Sequence, residues 1–490
     1  MSLTPKSRIM QVNSAAVNPD GKFVLYWMIA NRRPNWNFSL DRALEWSEKL
    51  KKPVLALEAL RCGHKWACDR FHSFVLDGMS ANKRAFADSG ITYYPFIESE
   101  PGMGKGLIEE LSKSACVIVT DNFPGFFLPR MVKSASKQSR VKLELVDSNG
   151  LIPLSATQNA YPSAYAFRRF IQNILPKIIL EYPNSDPLKN RNRFGPVFLE
   201  QSITEKWPQA SDNLLSCDPQ KIAELPIDHK VKSVSTRGGY ESAAKAMKLF
   251  LEEKLSSYVE LRNVPDLNVT SGLSGFLHWG HISVHEIFWR LMEQEKWTPE
   301  QLGAKATGKR TGWWGVSANA ESFLDELITW REVGYNMSAV NENYDRYESL
   351  PDWAIKTLGD HESDYRPYLY SLEELENSQT HDPLWNAAQV ELVREGRIHN
   401  YLRMLWGKKI LEWTPNAEEA LEVMIELNNK YALDGRNPNS YSGIFWTLGR
   451  YDRPWGPERN IFGKIRYMSS DRTKEKVSVK KYLEKYQSNG

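Results

Sequence analysis

Cysteine is scarce in this chain of 490 residues. There are four, Cys62, Cys68, Cys116 and Cys217, and no two of them form a C-x-x-C pair. That absence excludes a zinc ribbon and a cysteine-ligated iron–sulfur cluster, because both need closely paired thiolates. Scattered thiols persist in reducing compartments, so we expect reduced cysteines in a cytoplasmic protein.

Long apolar runs are absent as well. No run approaches the roughly 20 consecutive apolar residues that span a bilayer, and residues 1–14 contain no apolar signal core. We therefore expect neither secretion nor membrane insertion. Hydrophobic residues make up 41% of the chain and charged residues 25%, which is ordinary for a globular protein with several cores.

The net charge is low, at +3, so composition alone does not indicate a polyanionic partner. The charge is unevenly distributed along the chain. Residues 441–490 contain eleven Lys or Arg against five Asp or Glu, a surplus of six that leaves −3 for the first 440 residues. This basic segment could face phosphates, or it could be a solvated helix and tail, and charge alone leaves both interpretations open.

The N-terminal third alternates short apolar runs with helical patterns. The runs have strand length and lie at 23–28, 54–57, 91–96 and 116–119. Such alternation predicts a parallel α/β sheet. Residues 29–34, which follow the first run, contain no glycine, so the Gly-rich fingerprint of a nicotinamide-type Rossmann site is missing.

The pattern changes further along the chain. Between 181 and 238 it breaks into Pro, Asn, Asp, Lys and Ser residues, which suits a long connection over the surface. From 239 onward apolar residues recur at helical spacing, with few strand signals. We therefore predict an α/β domain over 1–180, a linker over 181–238 and a mainly α-helical domain over 239–490.

Residues 303–311 read Gly-Ala-Lys-Ala-Thr-Gly-Lys-Arg-Thr and almost match the phosphate-binding loop of P-loop NTPases. Arg310 stands where that loop needs a Ser or Thr hydroxyl for Mg²⁺, and no buried strand pattern precedes the segment. ATP hydrolysis is therefore disfavoured. The sequence predicts a basic loop here.

Three histidines, His278, His281 and His285, are followed by Glu286 and fall at i, i+3 and i+7 of a predicted helix. That spacing could place three ring nitrogens on one face and bind zinc. A histidine cluster without a second ligand segment is more often structural, so we predict no metal.

Five tryptophans lie among Asn, Asp and Arg residues between His381 and Met468. The motifs occur in the order Asp-Pro-Leu-Trp-Asn-Ala-Ala-Gln at 382–389, Arg-Met-Leu-Trp at 403–406, Leu-Asp-Gly-Arg-Asn-Pro-Asn at 433–439, Arg-Pro-Trp-Gly at 453–456 and Phe-Gly-Lys-Ile-Arg-Tyr-Met at 462–468. This order resembles the class II photolyases, flavoproteins of the photolyase/cryptochrome superfamily that repair cyclobutane pyrimidine dimers in DNA.

The resemblance implies a fold, cofactors and partners. The α/β part would be an antenna domain with a parallel Rossmann-like sheet that can hold a chromophore such as a deazaflavin or a folate. The mainly α-helical part would bind FAD, active in its reduced form, and UV-damaged DNA. We further expect a monomer with no obligate protein partner and no membrane, located in the cytoplasm and, in a prokaryote, associated with the nucleoid.

The flavin pocket of that family opens in a stretch similar to 270–283. The matching cofactor residues are Tyr258, Ser271, Gly272, Leu273, Ser274, Arg403, Asn428 and Asp434. Hydroxyl and backbone N–H groups at a helix start suit a diphosphate, although the same pattern also describes an ordinary N-cap. The resemblance places Asn428 beside N5 of the flavin, and the pair Arg403 and Asp434 beside its ring.

Glu326 and Trp330 are four residues apart, so both would project from one helix face, where Trp330 could also be an ordinary core residue. In the family this pair faces the damaged bases, with the carboxyl group bonding the thymine edge. Other residues that match substrate or DNA contacts are Met404, Trp446, Arg453 and Arg466. An aromatic slot would hold a flipped-out dimer while arginines hold the strand.

Trp406 and Trp413 are seven residues, or two helical turns, apart, and Trp385 lies on the preceding predicted helix. The resemblance makes these three a chain of electron carriers from the flavin to the surface, with Tyr370 as an outer carrier. The spacing alone would equally describe a core stripe.

The chain departs from the family at His285-Glu286, where a Gln-Arg pair is usual. That change would put an anion in place of a substrate-facing cation and weaken contact with DNA phosphate. The DNA-facing rim also differs, because the segment 447–452 is shorter than usual and the segment 457–460 is longer.

We therefore predict a light-driven lyase that splits cyclobutane pyrimidine dimers by electron transfer from excited reduced FAD. Glu326 and Asn428 would have catalytic roles together with the three tryptophans. Two alternatives stay open at this stage, a cryptochrome-like blue-light photoreceptor and a photolyase for a different UV lesion.

Overall fold

The computed structural model describes residues 4–189 and 194–487. The chain forms two compact units, each built from three separate stretches. The first unit comprises Met1–Thr157, Lys177–Met247 and Leu273–Glu293, and the second comprises Gln158–Pro176, Lys248–Gly272 and Gln294–Gly490. Residues 190–193 of the predicted linker lie outside the described residues.

The first unit is organised around a six-stranded sheet of β1 (Ile9–Gln11), β2 (Phe23–Met28), β3 (Val54–Leu60), β4 (Thr92–Ile97), β5 (Ala115–Asp121) and β6 (Leu143–Val146). The spatial order is β1-β6-β5-β2-β3-β4, and every pairing is parallel except that of β1 with β6. Strands β2 and β5 are buried along their whole length, as expected where both faces of a parallel sheet are covered. The predicted α/β fold is confirmed.

The α-helices are α1 (Phe38–Leu50), α2 (Asp69–Phe86), α3 (Leu107–Ser114), α4 (Leu128–Gln138), α5 (Ala164–Ile178), α6 (Gln201–Lys206), α7 (Asp212–Leu215), α8 (Pro219–Ala223), α9 (Tyr240–Leu249), α10 (Tyr258–Leu261), α11 (Ser274–His278), α12 (Val284–Gln294), α13 (Ala318–Leu324), α14 (Arg331–Val340), α15 (Asp352–Asp360), α16 (Leu372–Glu376), α17 (Pro383–Glu395), α18 (Asn400–Trp413), α19 (Ala417–Tyr431), α20 (Pro438–Thr447), α21 (Ser470–Lys476) and α22 (Lys480–Lys485). The second unit is therefore mainly helical, as predicted. No helix of the described chain is both long and apolar enough to cross a bilayer.

Asp121 closes the end of the sheet at the point where the strand order reverses, between β2 and β5. Its buried carboxylate accepts the backbone N–H groups of residues 29, 30 and 31 at 2.9, 2.8 and 2.9 Å, and the Tyr26 hydroxyl at 3.0 Å. Open α/β sheets bind nucleotides at this switch point. Here the amides that a phosphate would need are bonded to a side chain of the protein.

The three clustered histidines do not share one helix, because His281 lies in the connection between α11 and α12, so the prediction of one continuous helix is wrong. Helix α11 ends at His278, Gly280 follows with a φ of 72°, and His285 belongs to α12. Burial lowers the pKa of His281 to about 3 and the pKa of His285 well below its usual value. Both rings are therefore neutral, and each bonds a backbone group.

Glu286 is buried, so its predicted position on a DNA-facing surface is wrong. Its carboxylate accepts a hydrogen bond from the Tyr240 hydroxyl at 2.6 Å. Burial raises the pKa of Glu286, while the Tyr240 bond opposes that shift. This residue is a packed polar group of the first unit.

Local sequence signals explain where the helices of the second unit begin and end. Asp382 accepts the N–H groups at the start of α17, with Pro383 as the first helical residue, and Asn437 with Pro438 repeats the arrangement at α20. Gly396 ends α17 in the left-handed conformation. Helices α17, α18, α19 and α20 pack around one buried cluster.

A π-helical turn, Asp325–Trp330, joins α13 to α14. The sequence pattern predicted an ordinary helix through this segment. Wider turns of this kind are rare in proteins and occur preferentially at functional sites.

Candidate functional site

Helices α18, α19 and α20 bring several predicted cofactor residues into one core of the second unit. Arg403 on α18 donates to Asp434, which follows α19, at 3.0 Å, and both side chains are mostly buried. Asn428 on α19 donates to Ser440 on α20 at 2.8 Å. Gly435, the residue after Asp434, packs closely against Asn428, because a Cβ added to Gly435 would lie 2.7 Å from the Asn428 carbonyl. Asp434 is therefore the chain neighbour of a residue that packs against Asn428.

The orientation of the Asn428 amide is fixed by two neighbours. Its Nδ2 donates to Ser440 and also to Asn429 Oδ1, at 3.2 Å, and the side chain is buried. Because both bonds use the nitrogen, Oδ1 is the atom that this amide can present to a donor on a ligand.

His399 precedes α18 and was not identified from the sequence. It is mostly buried, and neither ring nitrogen has a hydrogen-bond partner among the described residues. Burial, together with the nearby Arg397 charge, lowers the pKa of His399 to about 4, so the neutral ring offers one donor and one acceptor. The Arg403 N–H bonds to the His399 carbonyl, so the two residues are one helical turn apart. A buried polar ring of this kind needs a partner, which a bound ligand would supply.

Glu326 is held by Arg262, which was not among the predicted site residues although it lies between Tyr258 and the stretch that resembles the opening of the flavin pocket. Arg262 donates to the Glu326 carboxylate at 2.6 Å, and its guanidinium also lies 5.5 Å from the Tyr258 ring centroid. Burial, followed by the Glu326 charge, raises the pKa of Tyr258 to about 12. Arg262 therefore joins a predicted cofactor residue to a predicted substrate residue. Trp330, at the end of the same π-helical turn, is partly buried.

The predicted diphosphate residues fall on both sides of the division between the two units. Ser271 and Gly272 belong to the second unit, and Leu273 and Ser274 belong to the first. Gly272 has a φ of 67°, and a Cβ added there would meet nothing within 4 Å. Helix α11, which follows, has only five residues. The role of these four residues stays a prediction.

Trp446 on α20 contacts two basic side chains. Lys408 on α18 lies 5.2 Å from a Trp446 ring centroid, and Arg466 lies 5.7 Å from it. Arg466 also contacts Trp455 at 5.0 Å, and Arg453 contacts the same ring at 4.6 Å. Three predicted DNA-contact residues thus form one aromatic and basic cluster, in which Arg453 and Arg466 are exposed.

Lys408 is the unexpected member of that cluster. It is fully buried and donates to the Thr447 carbonyl at 2.5 Å. Burial lowers its pKa to about 7. Met404 lies one helical turn before Lys408, and its methyl group would be 3.8 Å from a Cβ on Gly443 of α20.

The three predicted electron carriers are buried and connected. Trp385 donates its indole N–H to the Trp406 carbonyl at 3.0 Å, and its ring centroid lies 5.6 Å from that of Trp413. Trp406 donates its own indole N–H to Gln389 at 2.9 Å. Helices α17 and α18 thus place Trp385 in contact with both other tryptophans.

This aromatic series continues to the surface. The Trp413 ring lies 5.5 Å from Tyr370 and 5.2 Å from His381. Tyr370 and His381 Nδ1 share a hydrogen bond of 2.7 Å, and Tyr368 stacks on His381 at 3.8 Å. Tyr368 and His381 are exposed, so the rings lead from the interior to solvent.

No family model matches the chain, but individual known proteins do. The chain is 32% identical over 479 residues to a deoxyribodipyrimidine photo-lyase of Methanothermobacter thermautotrophicus, with 98% of this chain and 97% of that protein covered. It is 32% identical over 471 residues to the photo-lyase of Potorous tridactylus, with 94% and 80% covered. A class III photolyase structure from Agrobacterium tumefaciens has a TM-score of 0.70 at 17% identity, with 97% of this chain and 88% of that chain covered, and shows the fold.

The chain therefore belongs to the deoxyribodipyrimidine photo-lyases of the photolyase/cryptochrome superfamily. The superfamily membership predicted from the motifs at 382–468 is thereby confirmed. Assignment to class II within the superfamily stays a prediction.

Proposed function

We propose that this protein is a class II photolyase that uses light and reduced FAD to split cyclobutane pyrimidine dimers in DNA. The observation that carries the proposal is the set of side chains on α18. This one helix holds Arg403 in the polar core, Trp406 and Trp413 in the aromatic series, and Lys408 against Trp446. A single helix would thus connect the proposed cofactor, electron-path and substrate positions.

The polar groups of the α18–α20 core fit a flavin. His399 offers a buried donor and acceptor, and Asn428 offers Oδ1, which suits an N–H donor of a reduced ring. Arg403 and Asp434 present a charge pair that sums to zero. When bound, reduced FAD supplies an electron donor that absorbs blue or near-ultraviolet light. Tyr258, Ser271, Gly272, Leu273 and Ser274 would hold the remainder of the cofactor.

The substrate would be held by aromatic rings and charges of the second unit. Trp330, Met404 and Trp446 would pack against a flipped-out dimer, since an extruded base is stabilised by stacking. Glu326 would bond a thymine edge while Arg262 fixes its carboxylate. Arg453 and Arg466, which are exposed beside Trp455, would hold the DNA backbone.

The aromatic series would give electrons a path between solvent and the proposed flavin position. Trp406, Trp385 and Trp413 are buried and in contact, and Tyr370 with Tyr368 extends the path outward. Electrons entering at the exposed rings could keep the cofactor reduced. The dimer-splitting step itself needs no acid–base pair or metal from the protein, because the cofactor supplies its chemistry.

The other sequence-based assignments stay proposals. They are the antenna role of 1–180, the linker over 181–238, the FAD- and DNA-binding role of 239–490, an antenna deazaflavin or folate, and a monomer acting on UV-damaged DNA in the cytoplasm. The receptor alternative loses one of its two motives, because Glu286 is buried rather than facing a DNA surface. The other motive, the altered rim at 447–452 and 457–460, stays a prediction.

The decisive experiment is repair of one defined thymine dimer in an oligonucleotide by the reduced, FAD-loaded protein. We expect repair under blue light and none in a matched dark sample. A yellow, photoreducible protein that leaves the dimer intact would contradict the proposal. Parallel assays on another UV photoproduct would then separate a receptor from a different lesion specificity.

A further inference from the structure

The near-match to a nucleotide-binding loop, residues 303–311, has no role in the function proposed above. It contains Lys305, Lys309 and Arg310 and no acidic residue. All three side chains are exposed. In the part of the chain that the structure describes, no carboxylate lies within ion-pair distance of Lys305 or Lys309.

Buried polar groups hold the backbone of this loop. Gln172 on α5 accepts the Gly308 N–H at 2.7 Å and donates to the Lys309 carbonyl at 3.2 Å. Arg168, also on α5, donates to the Gly308 carbonyl at 3.0 Å. Gly308 has a φ of 71°, and a Cβ there would lie 2.9 Å from the Tyr165 ring. The backbone that carries Lys309 is therefore held in place, and Lys305 lies four residues before it.

The same anchor connects the loop to the predicted substrate position. Asp325 is buried and accepts two bonds from Arg168, at 2.8 and 3.2 Å, while Arg310 lies 3.3 Å from it. The next residue in the chain is Glu326. Asp325 thus contacts the loop through Arg310 and directly precedes Glu326, the predicted dimer-contacting residue, in the chain.

Helix α5 adds a further cation on this side. It contains Arg168, Arg169 and Lys177 and no acidic residue. Arg168 points inward to Asp325, whereas Arg169 is exposed. Exposed cations on a fixed backbone, without acidic partners, match a polyanion whose phosphates are regularly spaced.

We infer that Arg169, Lys305 and Lys309, here called the basic rim, bind the phosphate backbone of the DNA duplex beside the dimer. Naming damaged DNA as the partner rests on the proposed function. Contacts of this kind fix the position of a strand and carry no sequence or lesion information. The basic rim should therefore strengthen binding to damaged and undamaged duplex alike.

The test compares wild-type protein with the double variant Lys305→Gln/Lys309→Gln by measuring duplex affinity against salt concentration. Each lost phosphate contact reduces the slope of log affinity against log salt by about 0.9, so the double variant should lose about 1.8. Between about 50 and about 200 mM salt, the wild-type affinity should then fall about tenfold more than that of the variant.

Lys133→Gln/Lys137→Gln is the matched control. These lysines are exposed on α4 of the first unit, are also four residues apart, and change the net charge equally. The control should keep the wild-type slope. If the wild-type protein binds and repairs the dimer but the Lys305/Lys309 variant keeps the wild-type slope, the inference about the basic rim is wrong and the proposed function stands. Wild-type protein that neither prefers nor repairs the dimer would refute the proposed function. In that case the salt dependence of binding to undamaged duplex would still show whether the basic rim binds DNA.

Discussion

The Trp385 indole N–H and the Trp406 carbonyl form a 3.0 Å hydrogen bond between α17 and α18. The Trp385 ring also contacts Trp413, whose ring contacts Tyr370. Trp385 therefore contacts both other tryptophans, Trp406 through its backbone carbonyl and Trp413 through its ring. The sequence alone, with two tryptophans on one helix and the third on another, did not give these contacts.

Trp385→Phe should interrupt photoreduction of the FAD-loaded protein, because phenylalanine keeps a ring but not the readily oxidised indole. We expect reduction to fall to a small fraction of the wild-type rate, while chemically reduced protein still repairs a dimer. The lost hydrogen bond should lower the free energy of unfolding by about 1 kcal/mol. Flavin absorbance during illumination measures the first effect. Trp353→Phe, in the same core, is the control, and equal rates in both variants would remove Trp385 from the path.

Glu326→Gln should lower the repair yield without lowering flavin content. The amide keeps the shape of the side chain but leaves the Arg262 guanidinium, which is mostly buried, without its charge partner. We expect the free energy of unfolding to fall by about 1–2 kcal/mol. Repaired product per absorbed photon and the flavin-to-protein ratio are the two measurements. Glu342→Gln, at an exposed position, is the control. Loss of flavin would show that Glu326 serves the cofactor instead.

Lys408 should make stability increase with pH. Burial lowers its pKa from 10.5 to about 7, so the folded protein releases this proton near pH 7 while the unfolded chain keeps it until about 10.5. The free energy of unfolding should therefore rise between those values and be independent of this group below them. Lys408→Met should remove the rise and, near pH 6, increase the free energy of unfolding by about 2 kcal/mol, after the lost Thr447 bond is subtracted. Urea unfolding at several pH values measures this. Parallel profiles would contradict it.

His399→Phe should separate cofactor binding from folding. The ring nitrogens have no partner among the described residues, so the apo protein loses no hydrogen bond and its free energy of unfolding should change by less than about 1 kcal/mol. The flavin-to-protein ratio after purification should fall, because the cofactor loses its buried contact. His399→Gln, which keeps a donor and an acceptor, should retain more flavin. Wild-type flavin content in both variants would exclude His399 from the pocket.

The sequence predicted features that depend on neighbouring residues. Alternating apolar runs predicted the parallel strands, since a strand buried on both faces is apolar throughout. The motifs at 382–468 predicted the superfamily, and the Asp382-Pro383 and Asn437-Pro438 pairs are caps whose chemistry is local. The fold class followed from these patterns because each needs only a few consecutive residues.

Features that depend on distant residues were missed. Glu286 was expected on the surface because nothing nearby indicates that Tyr240, 46 residues away, supplies its hydrogen bond. The short edge strand β1 pairs with residues more than 130 positions further on. His399 lies in no recognisable sequence motif. The π-helical turn widens the helix without changing the spacing of apolar residues along the sequence. The assigned site residues themselves stay predictions.

The Asp121 carboxylate takes the position at the switch point where an open α/β sheet can bind a phosphate. The carboxylate occupies the convergence of three backbone N–H groups, so the first unit keeps the cradle of a nucleotide-binding fold in a self-occupied form. Removing the carboxylate, as in Asp121→Ala, would leave those donors directed at a vacant buried position. Sulfate should then restore part of the lost stability, because an external oxyanion can take the place of the internal one. The switch point between β2 and β5 is in this way closed by a side chain of the protein itself.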